Sequence, residues 1–454
     1  MFTRQKSLRW QFRCERISWR IFIFPVVLTL VNALTIPNAF AQRYETLSAK
    51  MGDKASKTLW RTAAQALNNP ATYQTDKGEI DAFFMKYYFP KMTETNPNEL
   101  GQLGKRREDL LKWLRGTKVP EAQQHLTGLT LKAMRVISRH NFHPAVRYNA
   151  ALILGFLNNQ YATAAQPPVP LPEGTLALIE LMEESEFTIK GKTIKVPASV
   201  RVASLVGLQR HARFGITENN APRVTKACLE IITSKEPREE ITRSVHHWMK
   251  CMAARVLAHQ HGKALPTDIQ SALTGLIADN QMGLEDRCCA AEILDHISYA
   301  KAAALDGTDA VLTLGKLAQD VLEEEAKESE EFEQDAIKRG PGTNRGFGGR
   351  NNFELATPQY PRRRLLNRLT CITRGSNSLV HGLSDESKQN MQKLVDTLTP
   401  TMTQVANKKT GSLEVTGAVI ELKSTVDTLV NSWKQPSTEA TDEAPEDGDI
   451  DFAG

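Results

Sequence analysis

The histidines are the first residues in this chain whose types and spacing could do chemistry. They cluster as His140-x-x-His143, His246-His247 and His259-x-His261. A metal centre would need several nitrogen, sulfur or oxygen donors converging on one ion. No carboxylate accompanies these pairs at ligand spacing. His246 and His259 lie 13 positions apart, several turns even on one continuous helix. They are read as surface or capping histidines, and no metal-binding residue is assigned.

Nucleophilic and phosphate chemistry is no better supported. The chain contains no G-x-S-x-G, no G-x-x-x-x-G-K-[ST], no H-E-x-x-H and no EF-hand loop. No catalytic or cofactor-binding residue is assigned, no cofactor is expected, and the chain is not read as an enzyme. Cys228, Cys251, Cys288, Cys289 and Cys371 follow the leader described below, and Cys14 lies within it. With no C-x-x-C and no C-x-x-C-H among them, they are read as small buried apolar residues. Arg345-Gly-Phe-Gly-Gly-Arg350 is similar to the RGG segments of RNA-binding proteins. One short copy is read instead as a solvated linker whose arginines answer the acidic run at 323–335.

The N-terminus has the three parts of a secretory signal peptide. Arg4, Lys6, Arg9, Arg13, Arg16 and Arg20 face a single acid, Glu15. An apolar run starting at Ile21 follows and ends near Ala39-Phe40-Ala41, a small-x-small cleavage site. Pro25, Asn32 and Pro37 interrupt the run, which argues against a retained anchor. Cleavage near Ala41 and a periplasmic or secreted, bacterial-type destination are expected. The leader holds six of the 57 basic and one of the 52 acidic residues, so the remainder carries 51 of each. That balance lacks the basic footprint of a nucleic-acid binder. No later segment has the apolar run of a membrane span, so no integral membrane segment is expected after cleavage.

The elements that must position any site are helices. Pro144-Ala-Val146-Arg147-Tyr-Asn-Ala150-Ala151-Leu-Ile-Leu154-Gly155-Phe-Leu157 places Val146, Ala150, Leu154 and Leu157 on one helical face. Pro144 suits a helix start, where its missing N–H costs nothing. Ala150 and Gly155 are small enough for a neighbouring helix to approach. The pattern returns with Pro197, Val200, Arg201 and Gly207, more loosely at Trp248–Leu257 with Ala253-Ala254, and at Asp286–Ile297 with Arg287 and Ala290-Ala291. The Pro, Val-Arg, paired-Ala and Leu-Gly pattern resembles the second helix of a HEAT repeat. The resemblance spans roughly residues 140–300 and marks a HEAT/armadillo-like protein. It implies that Pro144, Val146, Arg147, Ala150, Leu154, Gly155, Val200, Arg201 and Gly207 are structural repeat residues, with the arginine bridging adjacent repeats.

The expected fold is therefore all-α: an elongated HEAT-like helical-repeat solenoid with a small hairpin insertion and additional C-terminal helices. The chain divides into a signal peptide (1–41), N-terminal helices (42–140), HEAT-like repeats (141–336), a flexible Gly/Arg-rich loop (337–359), C-terminal helices (360–435) and a disordered acidic tail (436–454). Phe187 to Val196 alternates β-branched residues and lysines about Gly191, as a hairpin does. A helix from 385 is predicted to stop before Pro400. Val415, Val419, Leu422, Val426, Leu429 and Trp433 form a stripe at coiled-coil-like spacing. It is expected to pair with Met391, Leu394, Val395 and Leu398 and close the array, self-association through the same stripe being the rival. The function expected is a non-enzymatic scaffold that binds an unknown protein partner in the cell envelope. The alternatives are a lyase-like enzyme with its site in the repeat groove, since related helical repeats occur in lyases that attach bilin pigments, and a structural envelope component assembling through the C-terminal helices.

Overall fold

The computed structural model describes residues 44–238, 240–261, 266–299, 308–339 and 361–433. The leader at 1–41, most of the Gly/Arg-rich stretch (340–359) and the acidic tail at 436–454 lie outside the described residues. The chain from Tyr44 onward forms one unit, distinct from the preceding segment, and everything below concerns it.

Asp53–Asn68 (α1) buries Ala63, Ala66 and Leu67 on one face. Asn69 ends it and caps Pro70–Phe83 (α2) by accepting a hydrogen bond from the Ala71 N–H at 3.0 Å. One π-helical turn, Phe84–Tyr88, leads into Phe89–Lys91 (α3). Pro97–Gly101 (α4) and Leu103–Gly116 (α5) follow. Trp60, Phe83, Phe84, Tyr88 and Trp113 pack ring against ring, with the Trp60 and Trp113 centroids 4.3 Å apart.

Helix pairs then succeed one another. Pro120–Arg139 (α6) packs on Pro144–Leu154 (α7). Asn158–Gln160 (β1) and Val169–Pro170 (β2) form a short ribbon that the sequence pattern did not reveal. Pro172–Glu183 (α8) packs on Ala198–Phe214 (α9). Between them Glu186–Ile189 (β3) and Lys192–Lys195 (β4) make the expected hairpin. Its two central residues, Lys190 and Gly191, have φ of 51° and 76°, as a two-residue type I′ turn demands. Ala221–Thr233 (α10) packs on Arg243–Gln260 (α11), and Thr267–Ala278 (α12) on Leu284–Ile293 (α13).

Contacts between pairs follow one rule. Second helices touch second helices in the order α7, α9, α11, α13, and first helices touch first helices in the order α6, α8, α10, α12. Each helix is thus covered by its own partner and by its counterparts before and after. A helix pair that buries one face alone leaves its flanks to its neighbours.

The C-terminal part continues and then departs from that rule. Thr308–Arg339 (α14) packs on α12, and Arg362–Leu379 (α15) on α13. Asp385–Ala406 (α16) runs past Pro400, contrary to the expected stop. The prolyl ring removes only the hydrogen bond to the Asp396 carbonyl, and both residues are exposed, so water can serve that group. Thr401 and Val405 extend the buried stripe of Leu394 and Leu398 and hold the helix together beyond the proline. Ser412–Ser432 (α17) carries the expected apolar stripe, but its principal partner is α14, with α16 touched to a lesser extent. The two helices run antiparallel: Trp433 and Val430 lie over Gly315, Gln319 donates to Asp427, and Thr416 donates to Glu333. Sequence proximity favoured the α16 partner, whereas Gly315 supplies the flat surface that a tryptophan needs. Among the described residues no helix is long and apolar enough to cross a membrane.

Candidate functional site

The residues read as repeat positions lie on α7 and α9 and at their ends. His143 caps α7 by accepting from the Ala145 N–H at 3.2 Å, and Pro144 takes the first helical position. Val146, Ala150, Leu154 and Val200 are buried. Gly155 and Gly207 meet each other: a Cβ on Gly155 would stand 2.5 Å from the Gly207 Cα. Gly375 makes the same kind of approach to the backbone of Ala291, between α15 and α13.

The arginines answer the ends of the first helices. Arg147 donates from Nε to the Ser138 carbonyl at 2.9 Å, and Arg201 from Nη1 and Nη2 to the carbonyls of Met182 and Glu184 at 3.0 and 2.8 Å. Arg287 donates from Nε to the Ile277 carbonyl at 2.8 Å. The last carbonyls of a helix lack intrahelical partners and carry partial negative charge, so a buried guanidinium satisfies them. Two of the three also reach the following pair: Arg147 to the Lys195 carbonyl at 2.7 Å and Arg287 to Asp320 at 2.9 Å. Desolvation pushes Arg147 down to about 10. The third pair, which lacks Val-Arg, instead places His246 Nε2 3.3 Å from Ser234 Oγ. His246 and His247 are buried, not surface residues: His246 occupies the slot at a helix end that arginine fills elsewhere, and His247 Nδ1 lies 3.9 Å from Asp286 Oδ2.

Opposite these caps the second helices present a continuous face. Tyr148, Leu152 and Phe156 recur every fourth residue along α7 and just beyond it, and Val202, Val206 and Arg210 do the same on α9. The two rows are in register, since the Arg210 guanidinium stacks 5.2 Å from the Phe156 ring centroid. On α11 Val245 and Trp248 are exposed, and with Phe156 they keep 37–38 % of their surface accessible. Beyond them lies a polar border: the His259 and His296 rings pack at 4.6 Å, Glu292 binds Arg255 and Arg374, and Ser378 donates to Asp295. A cleft of about 720 Å³ between α10, α11 and α12 gathers Arg243, His247, Lys250 and Asp279. Within its wall Lys250 pairs with Asp279 at 3.3 Å.

Sequence reading missed two buried polar clusters. Arg345 and Arg350, expected to answer the acidic run, lie outside the described residues; among the described residues α15 answers it. Arg364 binds Glu325 and Glu328, and Arg368 binds Glu285, Glu324 and Glu325. The signal was there in principle, as two arginines four apart opposite a glutamate-rich helix. The second cluster is His211, wholly buried with its Nδ1 2.8 Å from Thr175 Oγ1. A single histidine on a helical face carried no such signal.

Burial, helped by Arg210, pushes His211 down to about 3, and burial, helped by His296, pushes His259 down to about 4. Both folded-state values lie below the unfolded value of about 6.5. Stability is therefore complete above that pH and is lost as pH falls through it, because the unfolded chain takes up protons that the fold refuses. For His211 alone the loss approaches ~1.4 kcal/mol per pH unit. The melting temperature is expected to be level from pH 8 to 7 and to fall between pH 6.5 and 5, less steeply in His211→Gln. A melting temperature unchanged down to pH 5 would refute this assignment.

Comparison of the chain with protein-family models, with curated proteins and with solved structures finds no match.

Proposed function

We propose that this chain is an exported, non-enzymatic scaffold: a HEAT-type helical solenoid that holds a protein partner in the cell envelope. The observation that carries the reading is the face formed by Tyr148, Leu152 and Phe156 on α7 and Val202, Val206 and Arg210 on α9, in register where Arg210 stacks on Phe156, with Val245 and Trp248 exposed on α11. Stacked pairs of this kind extend a binding surface by repetition. Aromatic and arginine side chains bordered by polar groups are the composition of protein-binding hot spots. In this reading the apolar row anchors the partner and the Arg255–Glu292–Arg374 and His259–His296 border selects it. The leader at 1–41 would deliver the scaffold to the periplasm or beyond. The enzyme alternative has the Arg243–His247–Lys250 cleft in its favour.

Photo-crosslinking separates the two. A crosslinking residue at position 248 is expected to give one discrete protein adduct in the envelope fraction, and Leu152→Arg in the same chain is expected to abolish it. The same residue at position 132, exposed on α6, is expected to give none. Equal adducts at both positions, or an adduct indifferent to Leu152→Arg, would overturn the assignment of this face.

A further inference from the structure

Cys251 on α11 and Cys289 on α13 come together where these second helices pack. Cys251 Sγ lies 3.4 Å from the carbonyl oxygen of Asp286, three residues before Cys289 on the same helix. Arg255, one turn beyond Cys251, donates from Nη2 to Cys289 Sγ at 3.1 Å. Cys251 is buried, whereas Cys289 is half-buried and is the more exposed residue of the two. Cys228 is wholly buried. The neighbouring Cys251 thiol and, against partial desolvation, the Arg255 guanidinium hold the Cys289 thiol below the usual cysteine value. The Cys251 thiol is pushed up by Cys289 and by burial. A reachable thiolate backed by a second thiol is the arrangement of an attacking and a resolving cysteine.

We propose that Cys289 and Cys251 form a redox-active pair that closes to a disulfide between α11 and α13 by exchange with an external disulfide, such as oxidised glutathione. The Cys289 thiolate attacks one sulfur of the incoming disulfide, that S–S bond breaks, and a thiolate leaves. The leaving thiolate takes the Cys251 proton. Cys251 then attacks Cys289 Sγ and expels the second thiolate, which takes up the proton that Cys289 had released. Two protein thiols are oxidised by two electrons, and one external disulfide is reduced to two thiols. The bond would clamp two neighbouring helix pairs where α11 packs on α13.

The test uses the full chain in glutathione buffers of rising oxidised fraction, with acid quenching, alkylation and peptide mass spectrometry. A Cys251–Cys289 linked peptide is expected to be the first product, while Cys228 stays reduced. Cys251→Ser is expected to accumulate glutathione on Cys289 at least tenfold over the wild type, because nothing resolves it. Cys289→Ser is expected to lose both products. A separate measurement on the unaltered chain is the pH dependence of Cys289 alkylation, expected to be half-maximal clearly below the ordinary cysteine value of about 8.5. Linkage of Cys289 to Cys288 or Cys371 instead, or alkylation of Cys289 with the pH profile of an ordinary cysteine near 8.5, would overturn the proposal.

Discussion

Gly155→Val is expected to lower the stability of the folded chain by ~1–3 kcal/mol or more, read as a shifted denaturation midpoint. A Cβ at this position would stand 2.5 Å from the Gly207 Cα and 3.5 Å from its nitrogen. The obstacle is backbone, so no side-chain rotation relieves it, and α7 and α9 must separate. Separation would also strain the Arg210 stack on Phe156, which crosses the same junction. Gly207 is no escape, since a Cβ there would stand 2.8 Å from Leu178 Cδ1 and 2.9 Å from the Gly155 Cα. Gly128→Ala is the control. It lies within α6 with nothing inside 4 Å of an added Cβ, so it is expected to be neutral or stabilising by up to ~1 kcal/mol. If the two substitutions have equal effects, the close approach of α7 and α9 is not what holds this junction together.

Arg368→Met is expected to be at least as damaging, on the order of 3–5 kcal/mol. Arg368 is 3 % exposed and ties Glu285 on α13 to Glu324 and Glu325 on α14. Glu325 has no exposed surface. Removing the guanidinium leaves that carboxylate to Arg364 alone among the two arginines that bind it. A charge taken out of water without adequate pairing costs far more than the pair contributed. Glu325→Gln placed in the Arg368→Met background is therefore expected to recover part of the loss, because it removes the charge and keeps a polar group. Additive losses in the double variant would show that the network acts through packing and not through charge.

The two substitutions probe features of different legibility. Gly155 stands out in the sequence because a small residue follows a run of apolar positions in a helix. Its partner was not legible. Gly207 comes two positions early relative to the first copy of the pattern, yet the crossing of α7 and α9 brings the two glycines together. Arg368 could be placed on a helix, but its burial could not be foreseen, since a run such as Glu323–Glu331 is ordinarily a solvated face. Cys251 and Cys289 lie far apart in the chain and were read as inert. Their contact depends on how α11 and α13 stack.

What is local was legible from the residues alone: the helical class, from apolar residues recurring on one face; the helix start at Pro144; the hairpin read over 187–196, from Gly191 and alternating β-branched residues; and the stripe on α17. These depend on the backbone's own periodicity and on residues within a turn of one another. Tertiary structure alone decided what is shared between elements. It set α14 and not α16 as the main partner of α17, carried α16 past Pro400, assigned His246 to a buried slot, and brought Arg210 onto Phe156. The reason is that helical periodicity states which side of a helix must be covered but not by what. The identity of the covering surface depends on shape and charge brought together from distant parts of the chain.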